Sequence, residues 1–237
     1  MPSITKVRLP NAFTQRNELH YYSDVGCVRS AIDIGELVNH PAIHPSVPEA
    51  NVLSTLDWNG ISKSIETIYV DTNACNDQSM TVLDLSGFNA LKCFLVETYS
   101  FSYVTTVKIV GLPCLERVVI AMNSFTRYKN AYGVNYDSMK EQTGHHFSVK
   151  YCEKLKELKI GRFSFADYSL CEIENLNALK EIQIGLLDGR SYNFYNATFR
   201  AKSELREAGL AIGLPALDSI VVGGYSFSDS RGALFDS

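Results

Sequence analysis

Apolar residues in this chain recur in one frame: an anchor at position zero, then plus three, plus five and plus ten. In Leu155-Lys-Glu-Leu158-Lys-Ile160-Gly-Arg-Phe163-Ser-Phe165 the frame runs from Leu155 to Phe165. It returns at Leu91 (Phe94, Val96, Phe101), Leu115 (Val118, Ile120, Phe125) and Leu217 (Ile220, Val222, Phe227). Ile65 carries it with Ile68, Val70 and Cys75, and Leu179 carries its first part with Ile182 and Ile184. The plus-three and plus-five residues, two apart, fall on one face of a short strand. A second alternating pair precedes most anchors: Leu83 and Leu85, Val107 and Ile109, Phe147 and Val149, Cys171 and Ile173. Two short strands per unit are therefore predicted, and one frame in six copies marks a repeat protein.

Successive anchors lie 26, 24, 40, 24 and 38 residues apart, so the unit is about 24 residues. One such unit cannot bury its own apolar face; stacked units share a continuous core. The expected architecture is a single solenoid over residues 1–237. Ile4, Val7 and Leu9 read as a damaged first copy. Residues 14–55 are irregular and punctuated by Pro41, Pro45 and Pro48. The two long intervals place insertions near 126–144, with Tyr128, Tyr132 and Tyr136, and near 186–210, with Tyr192, Phe194, Tyr195 and Phe199. Within the second, Ala201-Lys-Ser-Glu-Leu205-Arg-Glu-Ala is expected to form about two helical turns.

Positions zero, three, five and ten should point inward, which sends plus two and plus four of the first strand outward. That outward set is Thr67 and Tyr69, Cys93 and Leu95, Arg117 and Val119, Glu157 and Lys159, Glu181 and Gln183, Ser219 and Val221. Tyr69, Leu95 and Val119 are more apolar than open solvent requires. The row is thus the expected partner-binding surface, with Tyr69, Leu95, Val119 and Lys159 along it and Tyr128, Tyr132 and Tyr136 at its side. Tyrosines on a rigid scaffold offer large contact area at modest entropic cost.

Composition narrows the alternatives. A 46% hydrophobic fraction suffices for a core, and a formal net charge of -4 with scattered Lys and Arg argues against a nucleic-acid partner. No apolar run approaches the roughly 18 residues of a membrane helix. The first residues lack the apolar stretch of a signal peptide. Of six cysteines, Cys75, Cys152 and Cys171 stand where other copies have Phe, Leu or Val, so they read as buried, reduced thiols, and no pair shows C-x-x-C spacing. Reduced thiols fit an intracellular protein.

The motifs of catalysis and phosphate binding are absent: no G-x-S-x-G, P-loop, G-x-G-x-x-G or H-E-x-x-H occurs. His145-His146 and the His40/His44 pair are two-residue groups, short of the three or four ligands a metal site needs, and read as solvated or turn histidines. No cofactor, no metal and no enzymatic activity are expected. Asn196-Ala197-Thr198 is a glycosylation sequon that matters only on export.

The L-x-x-L-x-L frame, with Ser-Phe endings in Tyr99-Ser100-Phe101, Asn123-Ser124-Phe125, Phe163-Ser164-Phe165 and Tyr225-Ser226-Phe227, resembles the BspA-like subfamily of leucine-rich repeats. That subfamily occurs in bacterial surface proteins and in large protist protein sets, so the resemblance allows a cell-surface location. It covers about residues 56–237 well and 1–13 weakly. It implies a solenoid of leucine-rich-repeat type, in the α/β horseshoe class, dominated by short β-strands with little helix. The usual Asn slot at plus eight holds Asn73 and Asn123 but Tyr99, Phe163 and Tyr225 elsewhere, so stacked rings are expected in place of an asparagine ladder. The function expected is a non-enzymatic protein-binding scaffold. The rival is a structural spacer within a longer array, with no specific ligand.

Overall fold

The computed structural model describes residues 6–9, 61, 63–127, 144–185, 190–195, 197–202, 214, 216–224, 226–227 and 233–236. Its strands are β1 (Lys6–Leu9), β2 (Thr67–Val70), β3 (Val82–Asp84), β4 (Cys93–Val96), β5 (Thr106–Val110), β6 (Arg117–Ile120) and β7 (His146–Lys150), followed by β8 (Glu157–Ile160), β9 (Leu170–Glu174), β10 (Glu181–Ile184), β11 (Thr198–Lys202), β12 (Ser219–Val222) and β13 (Ala233–Asp236). They form two parallel sheets, ordered β1-β2-β4-β6-β8-β10-β12 and β3-β5-β7-β9-β11-β13. Each repeat places its plus-two to plus-five residues in the first sheet and its second apolar pair in the other.

Register follows the frame without slippage. Ile68, Phe94, Val118, Leu158, Ile182 and Ile220 are successive Cα partners. Val7 and Leu9 of β1 pair with Ile68 and Val70, so the damaged first copy does join the array. A one-residue slip would turn every buried side chain to the other face, and this fixes the register. Leu91, Leu115, Leu155 and Leu179 are fully buried in one core together with the inner residues of both sheets. Gly161 marks how closely coils approach: a Cβ there would lie 2.6 Å from the Met122 backbone nitrogen.

The corner between the two sheets is built from residues the frame leaves to its ends. At plus eight and plus ten the backbone is left-handed: Tyr99 and Phe101 have φ of 61° and 57°, Asn123 and Phe125 58° and 55°, Phe163 and Phe165 62° and 58°. Bulky residues seldom adopt this region unless their surroundings enforce it. Two ladders do so. In the first, the Ser100 hydroxyl donates to the Asp71 carbonyl (2.8 Å), Ser124 to Glu97 (2.8 Å) and Ser164 to Ala121 (2.7 Å). Each of these hydroxyls also accepts a backbone N–H from the coil before: Ala74 to Ser100 (3.1 Å), Ser100 to Ser124 (3.3 Å), Ser124 to Ser164 (3.0 Å). In the second, Phe101, Phe125, Phe165, Phe194 and Phe227 stack at centroid spacings of 4.7, 4.7, 5.0 and 5.4 Å with planes within 14°. That spacing approximates the roughly 4.8 Å separation of neighbouring strands, so one ring per coil fills the corner.

Three expectations need correction. First, no helix occurs among the described residues: both sides of the coil are sheet, so the structure departs from an α/β horseshoe. The second apolar pair alternates with a period of two, which suits a strand and cannot present a helical stripe. Second, Ala201 and Lys202 lie in β11, where Phe199 and Ala201 pair with Cys171 and Ile173. Sheet pairing has overridden helix propensity there, and residues 203–208 lie outside the described residues. Third, the stretch near 186–210 is not one insertion. Tyr192-Asn193-Phe194 is a regular corner with left-handed Tyr192 and Phe194, and the Asn193 side chain replaces the ladder serine by donating to the carbonyls of Gly161 (2.6 Å) and Ser164 (2.9 Å). At plus eight, Phe163 stacks on Tyr192 with ring centroids 6.0 Å apart; Tyr225 lies outside the described residues. The serines, with Asn193 in place of one, and the phenylalanines form the ladders that run from coil to coil.

Candidate functional site

The expected partner-binding row lies on consecutive strands: Tyr69 on β2, Leu95 on β4, Val119 on β6 and Lys159 on β8. These strands are neighbours in perfect register. Tyr69, Leu95 and Val119, with half-buried Cys93, form a cluster separate from the main core, as residues on the opposite face must. Their exposure differs from expectation. Tyr69 is 5% exposed, Leu95 2% and Val119 1%, so the row is buried within the chain. Covering an apolar row removes it from water at about 25 cal/mol per Å².

The polar members of the row are equally enclosed. Lys159 is 2% exposed, and its ammonium pairs with Glu181 at 3.1 Å. A buried cation requires such a partner. Gln183 is buried and donates to the Gly185 carbonyl at 3.2 Å. The plus-two residues at the rim, Cys93, Arg117, Glu157 and Glu181, remain half-buried, with Arg117 donating to Glu157 at 2.8 Å. Tyr128, Tyr132 and Tyr136, expected at the side of the row, lie outside the described residues, as does the His40/His44 pair.

A second cluster was not legible in the sequence. His145 is half-buried rather than solvated, with its ring edge-on to Tyr168 at 5.5 Å and its Nδ1 3.7 Å from Asp167 Oδ2. Asp167 is 4% exposed and also takes hydrogen bonds from the Thr126 side chain and the Arg127 backbone. The carboxylate therefore touches both ends of the 126–144 insertion. Burial pushes the Asp167 carboxyl up against the opposing pull of His145, and burial holds the His145 imidazole below its ordinary value against the pull of Asp167. Nearby, the Tyr168 hydroxyl donates to the Val104 carbonyl at 2.6 Å. Val104 follows Phe101 by three residues and Tyr168 follows Phe165 by three; the coil of Phe125 departs into the insertion between them. Tyr168 thus ties its own coil to the coil of Phe101. The link from Asp167 to His145 spans 22 residues, and no motif signals it.

Among the described residues no group of three or more His, Cys, Asp or Glu side chains gathers as a metal site would. The five described cysteines are free thiols. Cys152 and Cys171 are fully buried and Cys75 packs on the core, as their places in the frame require. Burial pushes the Cys152 thiol up to about 11, and burial raises the thiols of Cys75 and Cys171 as well. No described helix is long and apolar enough to cross a membrane. Comparisons with protein families, with curated proteins and with solved structures found no match for the chain.

Proposed function

We propose that the chain is a non-enzymatic protein-binding scaffold, a leucine-rich-repeat solenoid of the BspA-like kind, that takes a protein partner against the outer face of its first sheet. The observation that carries this reading is the second apolar cluster of Tyr69, Leu95 and Val119. The solenoid completes its core without it. An apolar stripe on the far side of a sheet lies against polypeptide, here against the chain itself, and solenoids present the rim beside such a stripe as part of an extended surface. The BspA-like assignment rests on the Ser-Phe corners, whose serines and phenyl rings form the two ladders. In this reading the partner meets the half-buried rim residues Arg117 and Glu157 and is flanked by Tyr128, Tyr132 and Tyr136, while the covered apolar row and the buried Lys159–Glu181 pair hold the sheet beneath the rim.

The test is capture of partners on the folded chain, followed by calorimetry with Arg117→Glu and Tyr132→Ala. Each should weaken binding by more than about 1 kcal/mol, since charged and aromatic anchors carry most interface energy. Unchanged affinity in both variants would remove the partner from this face. One observation favours the rival reading of a spacer: the apolar row is already covered within the chain, which leaves no open stripe along β2, β4 and β6. Failure to capture any saturable partner would support the spacer.

A further inference from the structure

His145 stands just before β7 and is tied to its neighbours through the backbone as well as through its ring. Its carbonyl accepts three bonds from the next coil: the Ser169 N–H at 2.9 Å, the Leu170 N–H at 3.2 Å and the Ser169 hydroxyl at 3.1 Å. The Ser169 oxygen in turn accepts the Gly144 N–H at 3.3 Å. On the other side, the His146 N–H donates to the Thr105 carbonyl of the preceding coil at 2.8 Å. Residues 144–146 thus bracket two coils, and the side chain at the centre of the bracket is titratable.

The ring sits where its charged form is poorly served. Its Nδ1 lies 3.7 Å from Asp167 Oδ2, beyond hydrogen-bond length. Among the described residues neither Nδ1 nor Asp167 Oδ1 has a hydrogen-bond partner. Arg127, at the end of the Phe125 coil, and the adjacent His146 both disfavour a charge on the ring, and Asp167 opposes them. The Tyr168 ring meets the imidazole edge-on, but its hydroxyl is committed to the Val104 carbonyl. A carboxylate held short of bonding distance repays only part of what burial costs an imidazolium. A neutral imidazole packs against Tyr168 without that cost.

We propose that His145 is an acid-release latch: a proton on its ring favours the arrangement in which the imidazole reaches water, and residues 144–146 then let go of Ser169 and Thr105 while the rest of the solenoid stays stacked. Released, the imidazole titrates at its ordinary 6.5; in place, burial holds it lower, so a fall in pH below 6.5 favours release. Asp167 sets the lower limit. Burial pushes its carboxyl up, so in stronger acid it takes a proton of its own and the closed bracket is favoured again. The release therefore belongs to mild acid.

Amide hydrogen exchange on the whole chain, compared by NMR at about pH 7.5 and about pH 5 and corrected for intrinsic exchange, tests the latch. Protection of the Ser169 and His146 N–H groups should fall at least about threefold at the lower pH, with a midpoint that tracks the His145 ring titration. Gly161, whose N–H bonds the Ile120 carbonyl at 2.7 Å in the first sheet, should keep its protection. His145→Phe retains an aromatic edge against Tyr168 without a proton site, and should lose the fall while keeping the circular dichroism spectrum. Asp167→Asn retains an oxygen acceptor but no negative charge, and should deepen the fall. Constant or rising Ser169 protection in the wild type at about pH 5 would overturn the proposal, and so would an equal fall in His145→Phe. The wild-type comparison decides by itself if His145→Phe does not fold. The latch is separate from the row on β2 to β8, so its failure leaves the scaffold reading intact.

Discussion

Replacing Ser124 with Ala tests whether the hydroxyl ladder holds the corner. Ser124 is fully buried, and its oxygen both donates to the Glu97 carbonyl at 2.8 Å and accepts the Ser100 N–H at 3.3 Å. Alanine preserves the backbone and nearly the volume, so the loss is almost purely of hydrogen bonding. Each buried group left without its partner costs about 1–3 kcal/mol, which gives about 2–6 kcal/mol for the pair. Ser164→Ala should cost a similar amount, because its oxygen serves Ala121 and the Ser124 N–H. The two hydroxyls belong to one ladder, joined through the Ser124 backbone N–H, so the double variant should depart from additivity by at least about 0.5 kcal/mol. Urea unfolding followed by far-ultraviolet circular dichroism is the assay, with the slope checked for loss of two-state behaviour, to which long arrays are prone. Exposed Ser86→Ala serves as the control and should change stability by less than about 0.5 kcal/mol. Equal effects at Ser124 and Ser86 would show that the phenyl stack alone enforces the left-handed corner, and the ladder argument would fall.

Leu155→Ala should cost about 2–5 kcal/mol by leaving a core cavity; under about 1 kcal/mol in urea unfolding, the coil interior would not be as tightly packed as its burial implies. Leu95→Ala should be as destabilising, because its row is buried, whereas a solvent-facing row would lose almost nothing. Cys152 and Cys171 should resist a thiol reagent at pH 8 without denaturant, since burial disfavours the thiolate of both; rapid labelling of either would contradict this. His145 should titrate below the ordinary 6.5 in an NMR pH series, and Asp167→Asn should lower it further by removing the carboxylate that pulls it up. The folded state then binds fewer protons at His145 than the unfolded state does. Its contribution is present above 6.5 and lost as pH falls through the lower folded value, while Asp167, shifted upward, acts in the opposite direction. A rise in the His145 value in Asp167→Asn would refute the pairing.

Residue spacing alone determined the coil. Alternation at plus three and plus five, and again at the second apolar pair, specifies two strands per unit because a strand's side chains alternate faces with a fixed period of two. Burial of Leu91, Leu115 and Leu155 follows from that period, and so does replacement of core hydrophobes by Cys152 and Cys171. The Ser-Phe endings were visible as letters, but their chemistry was not. A serine hydroxyl that bonds the preceding coil exists only once coils stack, and Asn193 could be seen as its substitute only after Phe194 took its place in the ring column. The row of Tyr69, Leu95 and Val119 shows the same limit from the other side. Alternation fixed which face these residues take, but not whether that face meets water. His145 and Asp167 meet because the 126–144 insertion leaves and rejoins the coil beside Asp167. Local periodicity encodes direction within a strand; burial and partnership depend on what distant segments bring into contact, and only the folded chain decides that.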